Sequence, residues 1–231
     1  IIDNVESIRI IDSTNNSIEG NTIEGKMYGD GINLLASSHN EINKNTIYYN
    51  VEGIRLRLSS NNGIKGNNIN NNTYGITIGG LLMGETELPT YSYNNDITGN
   101  DIDDNSIGIH LDNLSFNNTI KNNNIRYNKK IGIKSSQNSE ENQIYLNNLL
   151  NNKVNAVDYG NNTWYSIEKR KGNHWDDYTN RYPSVNDSNS DGIWDKPYGI
   201  EPYTNINFDK YPSVKPITLQ PPNQPIILDC T

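Results

Sequence analysis

Cysteine is almost absent from this chain. The one copy among 231 residues, Cys230, stands next to the last residue and has no partner for an internal disulfide. Long apolar runs are missing too: no stretch of 18 apolar residues occurs, so no ordinary membrane-spanning helix is expected. No basic segment leading into an apolar one opens the sequence, so this stretch is not expected to direct its own export. Basic residues are in deficit, with 19 Lys and Arg against 27 Asp and Glu, and the net charge of −8 argues against nucleic acid, whose phosphates need a basic stripe. Hydrophobic residues make up only 33% of the chain, so any core must be narrow.

Asparagine, by contrast, occurs 43 times, and its placement is periodic. Six isoleucines, Ile18, Ile42, Ile64, Ile97, Ile120 and Ile144, each have an asparagine two residues before and three residues after. A second aliphatic follows at plus five (Ile23, Ile47, Ile69, Ile102, Ile125, Leu149), and a third asparagine at plus eight in five copies (Asn50, Asn72, Asn105, Asn128, Asn152). A small residue and a β-branched one close each copy, from Gly31-Ile32 through Gly132-Ile133 to Ala156-Val157. The spacings of 24, 22, 33, 23 and 24 residues define a unit of 22 to 24 residues with one insertion, from Gly79 to Tyr93.

The aliphatics stand singly or in pairs at period two, such as Ile32/Leu34 and Ile54/Leu56, which is strand spacing. Each unit therefore reads as three short strands joined by bends, and the chain as an all-β, right-handed, single-stranded parallel β-helix of about seven rungs. Asparagine tolerates left-handed backbone and suits the bends, and equivalent asparagines one rung apart can bond along the axis. The fixed Asn-to-Ile offset excludes an unstructured Asn-rich tract. A leucine-rich repeat would need more leucines per unit. The solenoid is expected over residues 1–165, an aromatic cap over 166–215, and a proline-rich linker opening a further module over 216–231. Ile8 and Ile10 read as the last strand of a preceding coil, so a cap or further rungs are expected before Ile1.

Eleven of the twenty aromatics fall between Tyr159 and Tyr211, either as rings covering the last rung or as exposed platforms for sugars. Within this segment Asp187, Asn189, Asp191, Ile193 and Asp195, with Gly192 between them, have the oxygen-ligand spacing of a calcium loop, Ile193 through its carbonyl. Hard oxygen donors favour Ca²⁺ as a structural cofactor that rivets the cap. Tyr198 stands where a bidentate Glu would complete the shell, leaving Glu201 or Asp209 to do so.

Strand alternation turns a column of residues outward: Arg9, Asn33, Arg55, Thr77, His110, Lys134 and Asp158, with Arg57 and Asp112 beside it. The insertion would project next to that column. Arg55, Arg57, His110 and Asp112, with Tyr91, Tyr93 and Glu85 or Glu87 of the insertion, are the candidate binding groove for an acidic or neutral glycan. The same Asp112, His110, Arg55 and Arg57 are the catalytic candidates if the chain is a polysaccharide lyase or glycoside hydrolase, although no local motif demands catalysis. The six Asn-x-Ser/Thr sequons equal the number that the composition gives by chance and carry no weight.

The repeats, followed by Gly172-Asn173-His174-Trp175-Asp176-Asp177-Tyr178, the Asp-rich loop, Asp195-Lys196-Pro197-Tyr198 and Asp209-Lys210-Tyr211-Pro212, resemble the NosD-type parallel β-helix proteins. Such repeats abound in secreted and cell-surface proteins of methanogenic archaea. The family name implies periplasmic copper delivery, and the wider class of carbohydrate-binding and sugar-hydrolase β-helices implies polysaccharides. Copper sites need clustered His, Met or Cys, whereas His39, His110, His174, Met27, Met83 and Cys230 are scattered over the repeats and ends. The expectation is an extracellular, cell-surface module, a rigid scaffold that binds a surface polysaccharide or a neighbouring envelope protein. Self-assembly into a surface layer is a further possibility.

Overall fold

A computed structural model describes residues 6–80, 90–202 and 206–219. Expectations that concern Met83, Glu85, Glu87, Tyr203 and Cys230 lie outside the described residues.

The fold is a parallel solenoid of about seven turns. One sheet takes its strands in chain order, Glu6–Ile11, Asp30–Leu35, Glu52–Arg57, Tyr74–Gly79, Ile107–Leu111, Ile131–Ser135 and Ala156–Asp158. We call it the long-strand sheet. Two further sheets hold the three-residue strands centred on the repeated isoleucines, such as Glu41–Asn43 and Thr46–Tyr48. Equivalent residues pair rung on rung: Ile32 with Ile54, Ile54 with Ile76, Ile76 with Ile109, Ile109 with Ile133. The insertion leaves this register intact, since Ile64 still pairs with Ile97. The repeated aliphatics are buried in one continuous core, so a low hydrophobic content suffices because each rung needs only about four apolar side chains.

Asparagine ladders run along the corners. Asn67 is representative: its Oδ1 accepts the backbone N–H of Asn45 at 2.9 Å and the Asn45 side-chain amide at 3.0 Å. Its own Nδ2 donates to Asn100 Oδ1 and to the Ile42 carbonyl, both at 2.9 Å. Every side-chain polar atom of that buried residue is thus bonded, and the same pattern extends from Asn21 to Asn173. A second ladder runs from Asn16 to Asn162 and a third from Asn50 to Asn152.

The bend geometry differs from the sequence expectation in one respect. The left-handed conformation belongs to the residue before the ladder asparagine at every corner from Asn16 to Asn152, as at Asn15, His39, Lys44, Tyr49, Asp104 and Leu146, and not before the terminal Asn162 and Asn173. The asparagine itself must keep ordinary backbone angles so that its amide reaches the next rung. A serine column also lines the fourth corner, with Ser37 N–H donating to Ser59 Oγ and Ser59 N–H to Ser92 Oγ, both at 3.1 Å. The repeated glycines answer to close approach: a Cβ on Gly53 would lie 2.6 Å from the Gly75 carbonyl oxygen on the next rung.

Above the last rung, Trp164, Trp175, Tyr178 and Tyr198 are buried, with Trp175 and Tyr198 stacked at 4.0 Å. These rings close the core and are not sugar platforms. Strand His174–Trp175 adds to the ladder by pairing with Asn148–Leu150. Two buried carboxylates hold the indoles, Asp158 on Trp164 Nε1 at 2.8 Å and Asp209 on Trp175 Nε1 at 2.9 Å. Asp158 was expected on the outward column. Lys134 instead pairs with Val157, and Asp158 lies beside buried Ser135, drawn inward by the Trp164 indole and the Asn162 amide.

Replacing Asn100 by alanine leaves the Asn67 N–H and side-chain amide and the Ile64 carbonyl without their partners. The expected loss is about 3 to 5 kcal/mol, read from urea unfolding. Asn70→Ala, at an outward position of the same coil, is expected to cost less than about 1 kcal/mol.

Candidate ligand-binding face

The outward side of the long-strand sheet gathers the candidate residues. Strand alternation and register build two adjacent columns. Arg55, Thr77, His110 and Lys134 form one. Arg57 and Gly79 begin the other, and Asp112 and Ser136 continue it, with their N–H groups bonded to the Ile78 and Leu111 carbonyls of the rung below. Because Gly79 has no side chain, the second column has a gap. There an open depression of about 250 Å³ is lined by Arg55, Leu56, Arg57, Thr77, Gly79, Gly80, Asp112 and Asn113.

The two arginines differ. Arg55 Nε lies 3.2 Å from Glu52 Oε2, and its Nη1 lies 3.7 Å from Asp30, whose carboxylate also accepts the Asn33 amide at 2.9 Å. Arg57 has no ion pair among the described residues, so its guanidinium remains available to a ligand. Thr77 Oγ1 is buried and has no hydrogen-bond partner among the described residues, so it lies beneath the surface of the depression. Two cations and the Asp112 carboxylate offer a carboxylate or sugar hydroxyl both donors and an acceptor.

Glu52 was not legible as a site residue. Burial pushes its carboxyl up to about 7, Arg55 pulling it back and Asp30 and Asp112 pushing further up. The Arg55 contact is not aligned as a hydrogen bond, and Oε2 has no hydrogen-bond partner. His110 stacks on Tyr74 at 5.4 Å, its Nε2 lying 3.0 Å from Ser136 Oγ and 4.0 Å from Asp112. Burial lowers its pKa despite the nearby carboxylate.

The structure brings Arg55, Arg57 and Asp112 to the depression and His110 to its edge. Tyr91 and Tyr93 stand apart from it. Tyr93 lies in a neighbouring sheet, and Tyr91 packs against Phe116, a residue of that sheet. In the Asp-rich loop, Asp187 accepts the N–H groups of Asp191 and Gly192, Asp191 accepts that of Ile193, and Asp195 that of Ser188. Neither residue expected to complete its shell is there. Asp209 is consumed in the core by Trp175 and Asn173, and Glu201 pairs with Arg181 at 3.1 Å.

A family model described as periplasmic copper-binding protein (NosD) matches residues 1–87 and 82–180. The chain belongs to the NosD family. No curated protein matches it. Among solved structures it is similar to the mannuronan C-5 epimerase AlgE4 A-module of Azotobacter vinelandii, with 17% identity over 63% of this chain and 35% of that one and a TM-score of 0.34. No helix among the described residues of this NosD-family chain is long and apolar enough to cross a membrane.

Copper, which the family description carries, does not fit the donors among the described residues. Among the described residues no group of three or more His, Cys, Asp or Glu is gathered for a metal. His39 is exposed at a bend, His110 is engaged by Ser136, and His174 Nδ1 lies 3.1 Å from the Ser213 carbonyl. Met27 sits exposed on a turn of its own.

Asp209 makes the stability of the coil depend on pH. Burial raises its carboxyl from 3.8 to about 7, against the bonds from Asn173, Trp175 and Tyr211 that favour the anion. A carboxyl raised in the folded state binds its proton more tightly there. Its contribution is complete near pH 4 and is lost as pH rises through about 7. The unfolding midpoint is therefore expected to be higher at pH 5 than at pH 8, Asp209 accounting for about 2 to 4 kcal/mol. Asp209→Asn is expected to remove most of that difference, and Glu52→Gln, whose shift has the same sign, a smaller part.

Proposed function

We propose that this NosD-family β-helix is an extracellular scaffold module whose long-strand face binds a surface glycan at the depression between Arg57 and Asp112. One observation carries the reading: the Arg57 guanidinium, which has no ion pair among the described residues, lines the gap left by Gly79 together with Arg55 and the Asp112 carboxylate. The rigid coil, seven rungs at about 4.8 Å or roughly 35 Å long, holds these groups at fixed spacing, so binding costs little ordering. Titration of the protein with acidic and neutral oligosaccharides by calorimetry tests it. Arg57→Ala is expected to weaken binding at least about tenfold, or about 1.4 kcal/mol, with the fold unchanged. Absence of binding across the panel removes the reading.

The Asp187–Asp195 loop is proposed to take Ca²⁺ through Asp187, Asn189, Asp191, the Ile193 carbonyl and Asp195. Its place supports a riveting role, since Trp194 N–H bonds the Pro212 carbonyl at 2.9 Å and Ile193 bridges to Ser213, tying the loop to the last segment of the cap. Millimolar Ca²⁺ added to chelator-treated protein is expected to raise the melting temperature by several degrees, and Asp191→Asn to abolish the rise. An unchanged melting curve removes calcium.

A further inference from the structure

Ser136 and His110 meet at the edge of the glycan face in the arrangement of a nucleophile and its base. His110 Nε2 lies 3.0 Å from Ser136 Oγ, within the reach at which an imidazole activates a hydroxyl. The Tyr74 ring, stacked on the imidazole at 5.4 Å and 19°, fixes its orientation. Asp112 Oδ1, 4.0 Å from the same nitrogen, stands where it stabilises the imidazolium once the proton has moved. Burial favours the neutral ring, the form that accepts a proton. Lys134, the register partner of His110 and two residues before Ser136, has no ion pair among the described residues, and its charge adds to burial in favouring the neutral His110 ring. Ser136 itself is partly exposed.

We propose that Ser136 and His110 form an esterase site acting on O-acyl groups of the glycan bound alongside. The glycan as alcohol component rests on the reading given under Proposed function; the dyad does not. Ser136 Oγ bonds to the acyl carbon as its proton passes to His110 Nε2, and the carbonyl oxygen becomes the oxyanion, on the same sheet face as Lys134. Collapse breaks the bond between carbonyl carbon and sugar oxygen, and His110 returns the proton to the departing alkoxide. Water, activated by the same nitrogen, then releases the acid and restores Ser136, so an ester and one water give an acid and an alcohol. Asp112 approaches Nε2 and not Nδ1, which leaves the base unsupported by the carboxylate that amide hydrolysis uses. An ester, with its better leaving group, suits this weaker dyad.

The test starts with the unmodified protein and a fluorophosphonate probe, followed by peptide mass spectrometry. Labelling of Ser136 is expected, together with hydrolysis of p-nitrophenyl acetate and release of acetate from O-acetylated polysaccharides. Ser136→Ala is expected to abolish labelling, and both Ser136→Ala and His110→Asn to lower turnover on the order of a hundredfold or more, with unchanged circular dichroism. Turnover of the unmodified protein should fall on the acid side as His110 takes up its proton. Absence of probe on Ser136, or a Ser136→Ala rate equal to that of the parent, overturns the site and leaves a structural hydrogen bond. Hydrolysis of the simple ester without acetate release from any glycan overturns the substrate assignment while sparing the dyad. The calorimetric titration of glycans reports separately on the binding reading.

Discussion

A coil only three short strands around must turn a corner every five residues or so, and each corner leaves backbone amides that point along the axis with no strand to receive them. The asparagine ladder resolves this. Asn67 accepts a backbone N–H from below and donates its own to Asn100 above, while its side-chain amide reaches back to the Ile42 carbonyl. Buried polar groups left unbonded cost about 1 to 3 kcal/mol each, so a corner residue that satisfies four of them at once decides whether the rung forms. The isoleucine stack fills the space that the ladders enclose. Its members are fully buried, but they give no rung-to-rung register of their own.

This division explains where the candidate site residues stand. Residues held by the frame are spent on corners and core, and the last of them hand over to the indole-capped end, where Asp158 and Asp209 each bind one tryptophan. What remains is the outward side of the long strands. Rung spacing there brings Arg57, Asp112 and Ser136 into one column and Thr77, His110 and Lys134 into the next. The register converts residues 22 to 33 positions apart into neighbours. The flat, mixed-charge sheet face is interrupted at Gly79, and nearby burial raises the Glu52 carboxyl to about 7 and lowers the His110 imidazole.

The Asn-to-Ile frame made the architecture legible because ladder positions take asparagine and core positions take aliphatics with few exceptions. The left-handed corner position does not: Gly, Asn, Lys, Tyr, Asp and Leu all occupy it, so its location was hidden and was assigned to the asparagine beside it. The serine column, three residues before each asparagine from Ser13 to Ser139, repeats six times and was visible in principle. Arg55, Arg57, His110 and Asp112 followed from alternation alone. Glu52, Tyr74 and Ser136 did not, because their roles come from burial and from contacts between rungs, and the displacement of Asp158 inward required knowing where the Trp164 indole lies.

Native-state hydrogen exchange of the ladder amides tests the central claim most directly. If the ladder closes the corners, the backbone N–H groups of Asn45, Asn67, Asn100 and Asn123 should exchange as slowly as those of the buried isoleucines beside them and open only with global unfolding. Exchange of these amides at the rate of exposed bend residues, with the isoleucine amides still protected, would contradict it.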